Sequence, residues 1–315
     1  MNIVVPDDAA RIVADSGLEP QLRELGTLRV HESGAYTEAL LAERIAEADV
    51  ALSFAASPFI RAVLEACPRL RHIAVFGIGV DNVDLDACRQ RGITVTNTPG
   101  YSAATVAEKA IALALAVAHR MPMLDASVRR GGWPQEPVGQ LHGATLGVVG
   151  TGPIGQRVIA VGRGLGMDAI AWTFNPSEER AQEYGARFVG LDELLARSDV
   201  VSLQLPLSAE TEGLFGAREL ALMKPTAILV NVGRGAVVDE DALVAALQAG
   251  RIGGAGLDVF AIEPLPAAHP LTTLDSVVLS PHNAANTPQA NRAGLELAIR
   301  NIRDWQQGTL RTSIV

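Results

Sequence analysis

Short runs that are apolar at nearly every position alternate with longer segments whose apolar residues recur every three to four positions. "NIVV" (2–5), "VALSF" (50–54), "HIAVF" (72–76) and "ITVTN" (93–97) belong to the first kind. Such runs suit strands of a parallel sheet covered on both faces. "TEALLAERIAEA" (37–48) and "SPFIRAVLEAC" (57–67) belong to the second, and the Ser–Pro pair opening the latter predicts a capped helix start. "AATVAEKAIALALAVAHR" (103–120) is apolar almost all round, which predicts a buried helix. A second helix follows Met121 and Pro122 and stops at "GGWPQEP". A new alternation begins at "ATLGVVG" (144–150), with strands near 168–172, 200–205, 227–231, 254–257 and 277–280 and a last amphipathic helix over 289–306. The predicted class is α/β.

Length and composition narrow the picture. At 315 residues the chain predicts about two domains. With 48% hydrophobic and 19% charged residues it is a globular sequence. A net charge of −9 with no basic run argues against nucleic acid as a partner. The two cysteines, Cys67 and Cys88, cannot build a disulfide framework and read as small buried apolar residues. No metal site is expected. "MNIVVPDDAA" carries no basic leader, and the longest apolar run, Ala110 to Ala118, is far shorter than the ~20 residues of a membrane span. A cytoplasmic protein is expected.

Five stretches carry candidate chemistry. In "GVVGTGPIG", Gly150, Gly152 and Gly155 form G-x-G-x-x-G between a strand and a helix. Gly150 allows the tight turn, Gly152 admits a pyrophosphate to the backbone, and Gly155 lets the helix approach the sheet. In "VNVGRGAVVDE", Arg234 follows a strand between two glycines, where a planar guanidinium suits a carboxylate or carbonyl oxygen as readily as it suits solvent. Asp258 and Glu263 in "GLDVFAIEP" and His282 in "LSPHNAANTP" also follow strands. A carboxylate such as Glu263 beside the His282 imidazole would stabilise the imidazolium, a group that can give a proton to a carbonyl or take one from an alcohol. "FGIGVDNVD" (76–84) could offer the amides of Ile78, Gly79 and Val80 to an anion, or be a plain βα turn.

Together, "FGIGVDNVDLDACRQRGITVTNTPGYSAATVAE", "LHGATLGVVGTGPIGQRV", "LMKPTAILVNVGRGAVVDEDALVAAL", "GAGLDVFAIEPLP" and "LSPHNAANT" resemble the D-isomer-specific 2-hydroxyacid dehydrogenases, in order and spacing, from about residue 70 to 300. The resemblance implies two Rossmann-like domains, each a doubly wound parallel sheet, with the active site in the cleft between them. It implies a discontinuous substrate domain, 1–98 plus 284–315, and a dinucleotide-binding domain, 99–283. It implies hydride transfer between a nicotinamide cofactor and a small 2-ketoacid or 2-hydroxyacid. His282 would be the acid/base, Glu263 its partner, and Arg234 the clamp on the substrate carboxylate. Asp258 would hold the nicotinamide carboxamide. Gly152, Pro153 and Ile154 would touch the pyrophosphate, and Pro206 and Val232 would line the cofactor groove. Backbone of Gly77, Ile78, Gly79 and Val80 would bind the carboxylate, with Phe54, Phe76 and Tyr101 near the substrate side chain. A homodimer is implied, with the 103–120 helix at the wrapping interface. The different class of function that the resemblance allows is a nucleotide-sensing, corepressor-type protein on the same fold.

Two points stand apart. Lys109 places a charge in the otherwise apolar long helix with no evident purpose. In "IAWTFNPSEER" (170–180), where an Asp or Glu would hold the adenosine ribose, the chain has Thr173, Phe174 and Asn175. Thr173 and Asn175 can bond a ribose hydroxyl or a phosphate. Phe174 stands where a phosphate-binding arginine is expected, which favours NAD and leaves NADP open.

Overall fold

The computed structural model describes residues 1–54 and 57–315. The chain divides into two compact units, Met1–Ser102 with Asn286–Val315, and Ala103–Ala285. The sequence expectation set the breaks at 98/99 and 283/284.

In the first unit five strands, β1 (Asn2–Val5), β2 (Thr27–Val30), β3 (Val50–Ser53), β4 (His72–Val75) and β5 (Thr94–Thr96), form a parallel sheet in the order β2-β1-β3-β4-β5. β3 and β4 are buried at every position because helices cover both faces. Edge strand β2 alternates, with Leu28 inside and Thr27 and Arg29 outside, so no apolar run marks it in the sequence. The last helix, Pro288–Gln306, is capped by the Thr287 hydroxyl and buries Leu295, Ala298, Ile299 and Ile302 against this sheet. Phe76 and Tyr101 press so closely on Gly294 that a Cβ there would lie 2.7 Å from each ring.

The helix predicted from Ser57 begins at Arg61. Ser57 does not cap it, because its hydroxyl donates to Asp7 at 2.6 Å, and Phe59 instead pairs with Val83 in an isolated parallel bridge.

In the second unit seven strands, β6 (Thr145–Val149), β7 (Asp168–Trp172), β8 (Arg187–Phe188), β9 (Val200–Leu203), β10 (Ile228–Asn231), β11 (Gly254–Leu257) and β12 (Val277–Leu279), form a parallel sheet in the order β12-β11-β10-β9-β6-β7-β8. The order reverses at β6, the switch point beside which doubly wound sheets bind ligands. Because every pairing is parallel, all seven carboxyl ends share one rim. The helix Ala103–Ala118 buries Val106, Ala107, Ala110, Ile111, Leu113, Ala114 and Val117 in the core of this unit. It is buried on one broad face and not all round: Ala104, Glu108 and Ala112 are exposed. Gly256 in β11 admits it closely, since a Cβ there would meet that of Leu113 at 2.8 Å. Among the described residues no single helix is long and apolar enough to cross a membrane.

Candidate active site

The rim of the second sheet gathers the groups that the sequence scatters. The turn after β6 is shaped by glycine. Gly150 has φ +94°, which L side chains avoid, and its amide donates to the Trp172 carbonyl at 2.9 Å. Gly155 lies one turn into the helix Pro153–Gly164, where a Cβ would stand 2.0 Å from the Gly150 carbonyl oxygen. Gly152 caps that helix in extended conformation, and a Cβ there would meet nothing within 4 Å. Open space at Gly152, beside a helix N-terminus with Pro153 in its first turn and Ile154 after it, fits a pyrophosphate. Val232 is buried beneath the rim, and Pro206 is exposed on it, with its carbonyl accepting from the Thr211 hydroxyl at 2.6 Å.

Arg234 is presented by a loop that Asn231 folds. The buried Asn231 amide donates to the Arg234 carbonyl at 2.9 Å and accepts from the Gly233 amide at 3.0 Å. Gly235 then passes so close to the next loop that a Cβ would fall 1.9 Å from the Phe260 carbonyl carbon. Only glycine fits, and the contact joins the arginine loop to the segment carrying Glu263.

Glu263 and His282 meet. Glu263 Oε2 lies 2.7 Å from His282 Nδ1, and Oε1 accepts from the Phe260 amide at 3.0 Å. Burial pushes the Glu263 carboxyl up. The hydrogen bonds from His282 and Phe260, and the charges of His282 and Arg234, outweigh it and hold the group below the ordinary carboxylate value. Glu263 is therefore an anion at neutral pH. An anion only accepts, so Nδ1 carries the proton toward it and the opposite ring nitrogen, Nε2, is left for chemistry.

His282 stands in left-handed conformation, φ +48°, uncommon for a residue with a Cβ. Asp258 over-determines it. The Asp258 carbonyl accepts the His282 amide at 2.7 Å, and its buried carboxylate accepts the amides of Asn283 (3.2 Å) and Ala284 (3.0 Å). The side chain expected to hold a carboxamide thus also holds the histidine loop. The purpose of Lys109 is visible here. Its ammonium donates to Asn283 Oδ1 at 2.9 Å and Ser280 Oγ at 3.2 Å, clasping the loop from the long helix. Nothing local in the sequence signals this, because the partners are more than 170 positions away.

In the first unit, Phe76 is a core residue, 6% exposed and packed against Phe54 and Tyr101 with ring centroids 4.9 and 5.1 Å apart. Its ring lies within the aromatic cluster that Phe54 and Tyr101 complete. The Gly77 amide is also committed, to Thr98 Oγ1 at 2.9 Å. Among the described residues, no acceptor pairs with the amides of Ile78, Gly79 and Val80. Nothing local in the sequence marks Asp7. This buried carboxylate takes the Ser53 hydroxyl (2.8 Å), the Ser57 hydroxyl (2.6 Å) and the Phe54 amide (3.2 Å), and so ties Ser53 and Phe54 to Ser57. Residues 55 and 56 lie outside the described residues.

Thr173 is half-buried, and Asn175 and Phe174 are exposed past the end of β7, with Phe174 packing edge-on to Trp172 at 4.8 Å.

Comparison with known proteins bears on this rim. Residues 111–284 match the family model described as D-isomer specific 2-hydroxyacid dehydrogenase, NAD binding domain. The glyoxylate reductase of Thermococcus litoralis is 41% identical over 285 residues, covering 88% of this chain and 86% of that one. The D-3-phosphoglycerate dehydrogenase of Methanocaldococcus jannaschii is 38% identical over 297 residues, covering 93% of this chain and 56% of that one. Among solved structures, D-lactate dehydrogenase from Aquifex aeolicus, complexed with NAD and lactic acid, superimposes with a TM-score of 0.87 at 29% identity, covering 98% and 96% of the two chains.

Proposed function

The chain belongs to the D-isomer-specific 2-hydroxyacid dehydrogenase family, an NAD(P)-dependent oxidoreductase of small 2-hydroxyacids and 2-ketoacids, and on that premise we propose that His282, Glu263 and Arg234 carry its chemistry. The observation that supports this most is the 2.7 Å contact between Glu263 and His282 Nδ1. The nicotinamide, when bound, supplies or accepts the hydride. Everything else falls to side chains of the rim. Glu263, held ionised, fixes the tautomer of His282 and steadies its charged form. Protonated His282 donates from Nε2 to the C2 oxygen of a ketoacid as that oxygen becomes alkoxide-like, and in the reverse direction takes the alcohol proton. Arg234 pairs with the substrate carboxylate and shields the growing charge. Asp258 keeps the histidine loop in place and its rim position suits a carboxamide. Gly152, Pro153 and Ile154 receive the pyrophosphate. The amides of Ile78, Gly79 and Val80, which have no acceptor among the described residues, make a second, small anion site on the first unit.

Glyoxylate is the substrate we favour, on the relatives named glyoxylate reductase. Initial rates for a panel of 2-ketoacids (glyoxylate, hydroxypyruvate, pyruvate, 3-phosphohydroxypyruvate), each with NADH and NADPH, test it. Highest kcat/KM for glyoxylate is expected; a higher value for another ketoacid would refute that choice, and turnover of none of them would refute the reading. No feature of the rim favours the corepressor-type alternative. We further place the protein in the cytoplasm as a homodimer. The helix Met121–Arg129 buries no residue of its own, and Met121, Val128 and Trp133 stand exposed on or beside it, Trp133 at 77%. Sedimentation at twice the monomer mass is expected, and a Trp133→Glu variant should sediment as a monomer.

A further inference from the structure

Arg180 follows Asn175 by five positions, yet its side chain turns back to the glycine loop. Nη1 donates to the Asn175 carbonyl at 2.8 Å, Nη2 to Thr151 Oγ1 at 3.3 Å, and Nε to the Tyr184 hydroxyl at 3.2 Å. The guanidinium carbon also lies 5.6 Å from the centre of the Tyr184 ring. Thr151 is the middle residue of Gly150–Thr151–Gly152, and strands β6 and β7 pair in register up to Val149 and Trp172, so the glycine loop and the 173–175 turn leave the sheet side by side. In a βαβ unit of this kind the ribose of the adenosine lies at that spot, where a carboxylate bonds the 2′-hydroxyl and repels a 2′-phosphate. This chain has no carboxylate at the strand end. It has a guanidinium, fixed by three hydrogen bonds and a ring, that forms no ion pair among the described residues. Nη1 and Nη2 each keep a second N–H, which together make the fork that suits a phosphate.

We infer that Arg180 is the receptor for a 2′-phosphate, so that the chain takes NADP(H) as well as NAD(H) and binds the phosphorylated form more tightly. Thr173 and Asn175 complete the site with neutral groups. The missing neighbour at Phe174 is made good by an arginine that a turn of helix returns to the same place. This rests on the glycine loop being the dinucleotide site.

Fluorescence titration of the protein with NADH and with NADPH, with no ketoacid present, tests it. Calorimetry with adenosine 2′,5′-bisphosphate against adenosine 5′-monophosphate serves as the fragment control. The wild type should bind NADPH about tenfold or more tightly than NADH, the range of one charge-assisted phosphate contact. Arg180→Ala should erase that difference while changing NADH affinity by about threefold at most, and Thr173→Asp should reverse it. Thermal melts of the free variants check that they fold. Wild type favouring NADH, or Arg180→Ala weakening both nucleotides equally, overturns the inference and leaves the dinucleotide site standing. Failure of the wild type to bind either nucleotide overturns both.

Discussion

Two glycines three residues apart should fail in different ways. At Gly155 a Cβ would sit 2.0 Å from the Gly150 carbonyl oxygen, which is backbone and cannot rotate aside. Ordinary contact needs roughly 3.3 Å or more, so Gly155→Ala must push the helix Pro153–Gly164 off the turn by about 1 Å. Overpacking of that kind costs about 1–3 kcal/mol. For a unit of this size it lowers Tm by about 2–10 °C. Because the proposed pyrophosphate site is that helix start, nucleotide affinity should fall by about tenfold to a hundredfold as well. At Gly152 a Cβ would meet nothing, the residue has φ −67°, and serine caps helices slightly better than glycine. Gly152→Ser should therefore leave Tm unchanged or raised by about 1 °C. Its side chain would fill the space left for the pyrophosphate, and NADH affinity should fall by about tenfold or more. Thermal melts without nucleotide and NADH fluorescence titrations read both effects. A Gly152→Ser protein that binds NADH like the wild type, or a Gly155→Ala protein that melts like it, would refute the cradle derived for this turn.

Lys109→Met removes the clasp on the 280–284 loop while keeping the length of the side chain, and kcat should fall by about tenfold, the range of one charged hydrogen bond, with NADH affinity little changed; an unaltered kcat would show that the clasp is idle. Glu263 is held below its ordinary value of 4.5, so the stability it contributes is complete above that pH and lost as pH falls through the lowered value. Its carboxyl carbon, followed by NMR, should titrate below 4.5, and higher in His282→Asn. His72 is fully buried, 2.9 Å from Thr96 Oγ1, and burial brings its pKa down from 6.5 to about 3. The unfolded chain takes that proton first, so the stability is intact above 6.5 and lost as pH falls from there toward 3. The slope is at most ~1.4 kcal/mol per pH unit, and denaturant unfolding of His72→Phe at several pH values should show a shallower dependence.

The strands were readable because a parallel sheet buried on both faces leaves an apolar run, as in "TLGVV" and "AILVN". The glycine turn was readable because its requirements are local, a positive φ at Gly150 and a close approach at Gly155. What escaped depends on partners distant in sequence. The start of the helix after Ser57 was misjudged because its hydroxyl goes to Asp7, 50 positions back, instead of to the helix. Asp7 has no local signal, because its partners Ser53 and Ser57 lie 46 and 50 positions on. Lys109 looked misplaced until the fold supplied Ser280 and Asn283. Arg180 is 29 positions from Thr151, and only the fold brings the two together. Edge strand β2 lacked an apolar run because one of its faces is wet.

The central claim is that His282, steadied by Glu263, moves the proton that accompanies hydride transfer. Steady-state NADH oxidation with glyoxylate by wild type and His282→Asn, alongside NADH titration of both, tests it most directly. In the variant kcat should fall by about a hundredfold to ten-thousandfold while NADH affinity stays within about threefold. A variant that turns over glyoxylate at the wild-type rate would contradict it.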